Sequence, residues 1–150
     1  MKISSYKKEY ANYFYTLNKD WITEFWSLEK SDLKDLLSPK SSIIDLGGEI
    51  FFALINNEPI GTVAMIPYDD KSFELAKMTI HKNHRGKGIS KVLLNHCIDF
   101  AKKNKAKEVF LISNRSLLIA RNLYDNYGFD EVPLHSKKYN RGNVKMTLKI

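Results

Sequence analysis

At 150 residues the chain has the length of one domain, and a chain that long buries roughly 68–70% of its unfolded surface on folding. Its 24 Lys and Arg outnumber its 17 Asp and Glu, a net charge of +7 that suits an anionic ligand without naming it. Hydrophobic residues at 43% exclude a disordered chain, the longest apolar run, Ile50–Ile55, excludes a bilayer-spanning helix of roughly 20 residues, and a lone Cys97 excludes an internal disulfide.

Tyr6, Tyr10, Tyr13, Phe14, Leu17, Trp21 and Phe25 recur at three- and four-residue steps, which predicts two short helices over 6–26 with Asn18 as break or cap. Ser31 as N-cap, acids in the first turn and Pro39 as a stop predict a third helix over 32–37. Gly47-Gly48 opens a strand over 49–55, and Asn56-Asn57-Glu58 turns into a second over 59–67. After the turn Tyr68-Asp69-Asp70-Lys71, residues 73–80 read as a central strand, apolar on both faces. From Ile89 helical spacing returns through Ala101 and ends on Lys102–Lys105. A buried strand over 108–113, a helix over 117–127 closed by Gly128, and strands over 129–132 and 144–150 complete the order.

The junction His81-Lys82-Asn83-His84-Arg85-Gly86-Lys87-Gly88-Ile89-Ser90 sits between a strand and a helix. Two glycines let the backbone turn tightly and present consecutive N–H groups at the positive end of the helix dipole, with Arg85 and Lys87 adding charge. Phosphate suits such a nest. Gly-x-Gly alone also fits any strand-to-helix turn that needs positive φ. The spacings of the Walker and Rossmann phosphate motifs are absent.

With Asn83-His84-Arg85-Gly86-Lys87-Gly88 the chain resembles the GNAT superfamily of N-acetyltransferases, whose signature is Arg/Gln-x-x-Gly-x-Gly/Ala; only the first position departs. Ser113-Asn114, Leu117, Ala120, Leu123-Tyr124 and Gly128-Phe129 resemble the family's second helical motif. The stretches 17–22, 46–50 and 74–78 are similar to a bacterial branch often fused to MarR-type regulators. The resemblance implies one α/β (α+β) domain over 1–150, with a mixed, mostly antiparallel sheet of about six to seven strands, about four to five flanking helices and a splay between strands 4 and 5. It implies acetyl-CoA as co-substrate and direct transfer of acetyl to a primary amine. Arg85, Gly86, Lys87, Gly88, Ile89 and Ser90 would hold the pyrophosphate. Met78, Thr79 and Ile80 would bond the pantetheine arm by strand addition, one of their N–H groups polarising the thioester carbonyl.

The remaining site residues each carry two readings. Glu74 coincides with a general base of the family, or is a strand-end carboxylate reaching solvent or pairing with Lys77. Tyr124 coincides with the acid that protonates the departing thiolate, or packs as a core tyrosine. Asn114 bonds pantetheine, or caps the helix that starts near Ser116. Trp21, Phe25 and Trp26 wall the acceptor pocket, or fill the core. His81, His84, His96 and Cys97 do not make a tetrahedral metal set, so no metal is expected.

The start Met1–Tyr6 lacks the apolar stretch of a secretory signal, so a cytoplasmic location is expected. Scattered single lysines argue against nucleic acid as partner, and a homodimer is left open. The rival reading is a non-catalytic acyl-CoA-binding sensor, against which the presence of both Glu74 and Tyr124 argues.

Overall fold

The computed structural model describes residues 1–135 and 138–150. Seven strands, β1 Lys2–Ser4, β2 Glu49–Ile55, β3 Glu58–Pro67, β4 Ser72–Ile80, β5 Glu108–Ser113, β6 Asp130–Val132 and β7 Val144–Lys149, form one sheet in the order β1-β2-β3-β4-β5-β7-β6. The helices are α1 Ala11–Phe25, α2 Lys30–Leu37, α3 Ile89–Lys103 and α4 Leu118–Tyr127. All neighbouring strands are antiparallel except β4 and β5. That parallel pair needs a crossover, which α3 supplies.

Alternation along the strands builds two cores. Phe51, Ala53, Val63, Met65, Phe73 and Leu75 meet the apolar face of α3 and Tyr124 of α4. Ile50, Phe52, Leu54, Ala64, Ile66 and Ala76 meet Phe14 of α1 and Leu36 of α2 on the other face. The hairpin between β2 and β3 turns through Asn56 and Asn57, both left-handed (φ 51° and 64°), as a two-residue hairpin loop requires.

Two local expectations are corrected, and one strand is added. Residues 11–25 form one helix after a short turn at Lys8–Tyr10, because Asn18 does not break it: its buried side chain donates to the Phe14 carbonyl at 2.9 Å. Ser31 is not an N-cap but lies inside α2, whose first turn is closed by the Asp32 carboxylate accepting the Glu29 N–H at 2.9 Å. Strand β1 carries no periodic signal in three residues and is defined only by its pairing on the edge of β2.

Strand β4 departs from regular pairing on both of its edges. It pairs with β5 only over Ser72–Glu74, so beyond Glu74 the two strands part and open a cleft. Its pairing with β3 also shifts register: Thr79 faces Thr62 and Ala76 faces Ala64, so Val63 stands opposite both Lys77 and Met78. This is a β-bulge, with Lys77 in the left-handed region at φ 58°. Beyond it Met78 and Ile80 join the α3 side of the core, while Lys77 reaches toward α2.

Candidate active site

The glycine loop begins where β4 ends. His81 makes the last rung toward β3, its N–H donating to the Ile60 carbonyl at 2.7 Å, and its Nδ1 accepts the Asn83 N–H at 3.1 Å. Arg85 Nε donates to the Ile80 carbonyl at 3.0 Å, tying the loop back to the strand. Gly86 and Gly88 are both left-handed at φ 76°, and a Cβ built on either would meet no heavy atom within 4 Å. That open space lies beside the first-turn N–H groups of α3, which have no intrahelical partner, and beside exposed Arg85 and Lys87. Phosphate fits it in charge and in donor type. Ile89 offers only backbone there, since its side chain is buried in the core; Ser90 is half-buried beside it.

The cleft between β4 and β5 is lined by Met78, Asn114, Tyr124, Tyr139, Trp21 and Trp26, among others. Ile80 turns its carbonyl away from β3 to Arg85, so its N–H, and by alternation that of Met78, points to the parted side. Thr79 is turned the other way, paired with Thr62. Tyr124 is buried, and among the described residues its hydroxyl makes no hydrogen bond. Burial, with Cys97 beside it, pushes its phenol well above the usual value, so it is protonated at neutral pH. Asn114 does not cap α4, whose N-cap is Leu117 with no side-chain cap bond; it closes the turn before the helix, its Oδ1 accepting the Ser116 N–H at 2.9 Å, and its Nδ2 donates to the Arg141 carbonyl at 2.7 Å. Trp21 and Trp26 stack edge to face at 6.1 Å, the Trp21 indole N–H donating to Asn18 Oδ1 at 3.3 Å. Phe25 is 70% exposed and is not among the residues that line this cleft.

Glu74 sits beside this cleft, buried on the α2 side of β4. It does not pair with Lys77. Lys138 Nζ donates to its Oε1 at 2.7 Å and the Tyr139 hydroxyl to its Oε2 at 3.2 Å. Burial would lower the Lys138 ammonium, but Glu74 and Asp35 against it raise it above the ordinary lysine value. Lys77 instead reaches Asp32 at 2.7 Å and the Tyr139 oxygen at 3.3 Å. Asp32 also accepts two bonds of 2.7 Å from Arg141. Burial alone would raise the Asp32 carboxyl, yet Arg141, Lys77 and the Glu29 N–H hold it well below the usual carboxylate range.

Sequence reasoning missed Asp32, Asp35, Lys138, Tyr139 and Arg141 as members of this cluster. The signal that points to them is the strand itself: Glu74 and Lys77 lie in an otherwise buried segment, where charges need partners. Asp32 and Asp35, three apart on a helix, are the facing acids. His81, His84, His96 and Cys97 do not converge; among the described residues no group of His, Cys, Asp and Glu could hold a metal ion. Cys97 is buried in the core, which raises its thiol far above the usual value. No described helix is long and apolar enough to cross a membrane.

The profile of the Acetyltransferase (GNAT) family matches residues 11–129. Human N-acetyltransferase 8B is 28% identical over 121 residues, 77% of this chain and 52% of that protein. The chain therefore spans about half the length of this curated relative. A solved acetyltransferase of the GNAT family from Staphylococcus aureus Mu50 superposes with a TM-score of 0.89 at 22% identity, covering 99% of this chain and 98% of that one. The Salmonella typhimurium protein yncA, determined with its cofactor acetyl-CoA, gives 0.79 at 18% identity over 99% of this chain and 93% of that one. At these identities the likeness to solved structures is one of fold.

Proposed function

The chain belongs to the acetyltransferase (GNAT) family, and from that premise we propose that residues 1–150 form one domain that transfers acetyl from acetyl-CoA to a primary amine. The observation that carries this reading is an open glycine loop, left-handed at Gly86 and Gly88, following the strand that opens a cleft past Tyr124. Residues 85–90 take the pyrophosphate. Met78 and Ile80 offer N–H groups to an extended pantetheine arm and to the thioester carbonyl, whose developing negative charge they stabilise.

The transfer is direct. The neutral amine nitrogen attacks the thioester carbon, the carbon–sulfur bond breaks, and the thiolate leaves with its electron pair. Glu74 collects the proton of the acceptor ammonium, which displaces Lys138 from the same carboxylate. Tyr124, protonated and at the cleft, gives its proton to the thiolate and regains one from the new amide nitrogen, which sheds its second proton. Asn114 positions the arm from the turn it closes before α4. The stretches 17–22, 46–50 and 74–78 support membership of the branch often fused to MarR-type regulators, and a cytoplasmic location is part of this reading.

One observation favours a second reading, a non-catalytic acyl-CoA sensor: Glu74 is held by Lys138 and Tyr139. A panel of amines incubated with acetyl-CoA, with release of free CoA thiol as readout, separates the two. Release that depends on an amine supports the enzyme. Acetyl-CoA binding with no release across amino acids, polyamines, aminoglycosides and peptides supports the sensor.

A further inference from the structure

We propose that the buried Asp32–Lys77 ion pair is a positioning device that holds the β4 bulge and so aims the Met78 and Ile80 N–H groups into the cleft. The inference rests on the acetyl-transfer reading and adds to it residues that touch no substrate.

Lys77 is a left-handed residue inside a strand (φ 58°). Such a conformation is unfavourable for a residue that is not glycine, and it persists only where its surroundings impose it. Here the surroundings are visible. The side chain is 2% exposed and ends on Asp32, itself 0% exposed. Its ammonium also lies 4.3 Å from the centre of the Tyr139 ring. Asp32 cannot follow the lysine if the strand moves, because Arg141 holds both its oxygens and the Glu29 N–H fixes it to the start of α2.

Straightening the bulge would send Lys77 to the opposite face of the sheet, since a one-residue change of register inverts every side chain after it. That would strand a buried ammonium without its partner, a larger cost than that of the left-handed backbone. The larger cost wins, so the ion pair keeps the strained backbone in place. The same change sets which N–H groups face the cleft: with the bulge, Met78 and Ile80; without it, Lys77 and Thr79, with the glycine loop carried one residue, about 3.3 Å, farther along, so that the carbonyl of a ligand anchored on that loop no longer meets them.

The test needs no acceptor. Acetyl-CoA labelled with carbon-13 at its carbonyl is bound to the wild type, Lys77→Met and Lys77→Gly, with affinity measured by calorimetry and the carbonyl stretch by isotope-edited infrared spectroscopy. Hydrogen bonding from the strand lowers that stretch in the wild type relative to free acetyl-CoA. Lys77→Met, which has no ion pair to hold the left-handed turn, loses the lowering while still binding. Lys77→Gly, which adopts positive φ at little cost, retains it. A Met variant that keeps the shift, or a Gly variant that loses it, overturns the proposal. So does a wild type that binds without any shift. If Lys77→Met does not fold, Lys77→Gln replaces it in the same comparison. Absence of acetyl-CoA binding to the wild type overturns the underlying acetyl-transfer reading instead, and this inference with it.

Discussion

Replacing Gly88 by alanine separates the loop's conformational role from a ligand-binding one. Gly88 is left-handed (φ 76°), and an added Cβ would meet nothing within 4 Å, so the substitution brings no clash with the protein. Its cost is conformational: about 1–2 kcal/mol for a left-handed residue with a Cβ, less about 0.4–1 kcal/mol from the stiffer unfolded chain. The net is about 1 kcal/mol, a fall in Tm of roughly 2–4 °C for a chain this long. The methyl group nevertheless stands in the cradle where a phosphate would lie. Wild type at 100 times Kd of acetyl-CoA gains about 2.7 kcal/mol, or roughly 5–11 °C on the same scale, and Gly88→Ala should gain almost none. Thermal shift and calorimetry with acetyl-CoA measure both quantities. An undiminished ligand shift in Gly88→Ala would refute the assignment of the loop. A large loss of stability without ligand would mean that the glycine serves packing.

Tyr124→Phe should lower turnover by roughly 10²–10⁴ with acetyl-CoA affinity unchanged, because only a proton donor is lost; equal turnover would return Tyr124 to packing. Since burial raises its phenol, the wild-type rate should show no loss from tyrosine ionisation on raising the pH to about 10, the ordinary value. Glu74→Gln should slow acetylation by roughly 10²–10⁴ and be partly rescued at high pH, where more acceptor is already neutral; superimposable pH–rate profiles would assign the proton to another group. Asp32 is depressed in the folded state, so its contribution is complete above the unfolded carboxylate value of about 3.9 and is lost as pH falls below it. Asp32→Asn should cost about 3–5 kcal/mol in urea unfolding at pH 7 and flatten the acid limb of stability, and an unchanged acid limb would contradict the pairing.

Most of the fold is readable from sequence because its signals are local. The Asn56-Asn57 hairpin, the period of α3 and the glycines after β4 each follow from a few neighbouring residues. The glycine loop is readable for the same reason. Asn18 misleads because a polar residue in a helix looks like a break until its side chain is seen bonded to the Phe14 carbonyl. Ser31 misleads because Glu29 and Asp32 close the first turn between them. The partners of Glu74 and Lys77 are out of reach because the bulge at Lys77 changes which side chains share a face, and period-2 reasoning cannot see it. Arg141 and Lys138 lie 109 and 64 residues from the acids they bond, a separation no window spans.

One-step passage of acetyl from CoA to an amine in the β4–β5 cleft is tested most directly by following the acetyl group itself. The protein is incubated with acetyl-CoA carrying an isotopically labelled acetyl group and an active acceptor, and the label is tracked by mass spectrometry in acceptor and protein together. Direct transfer predicts label on the acceptor nitrogen in proportion to CoA released, with none retained on the protein at any time. Label that first accumulates on the protein and then moves to the amine, or CoA release with no labelled acceptor, would contradict it.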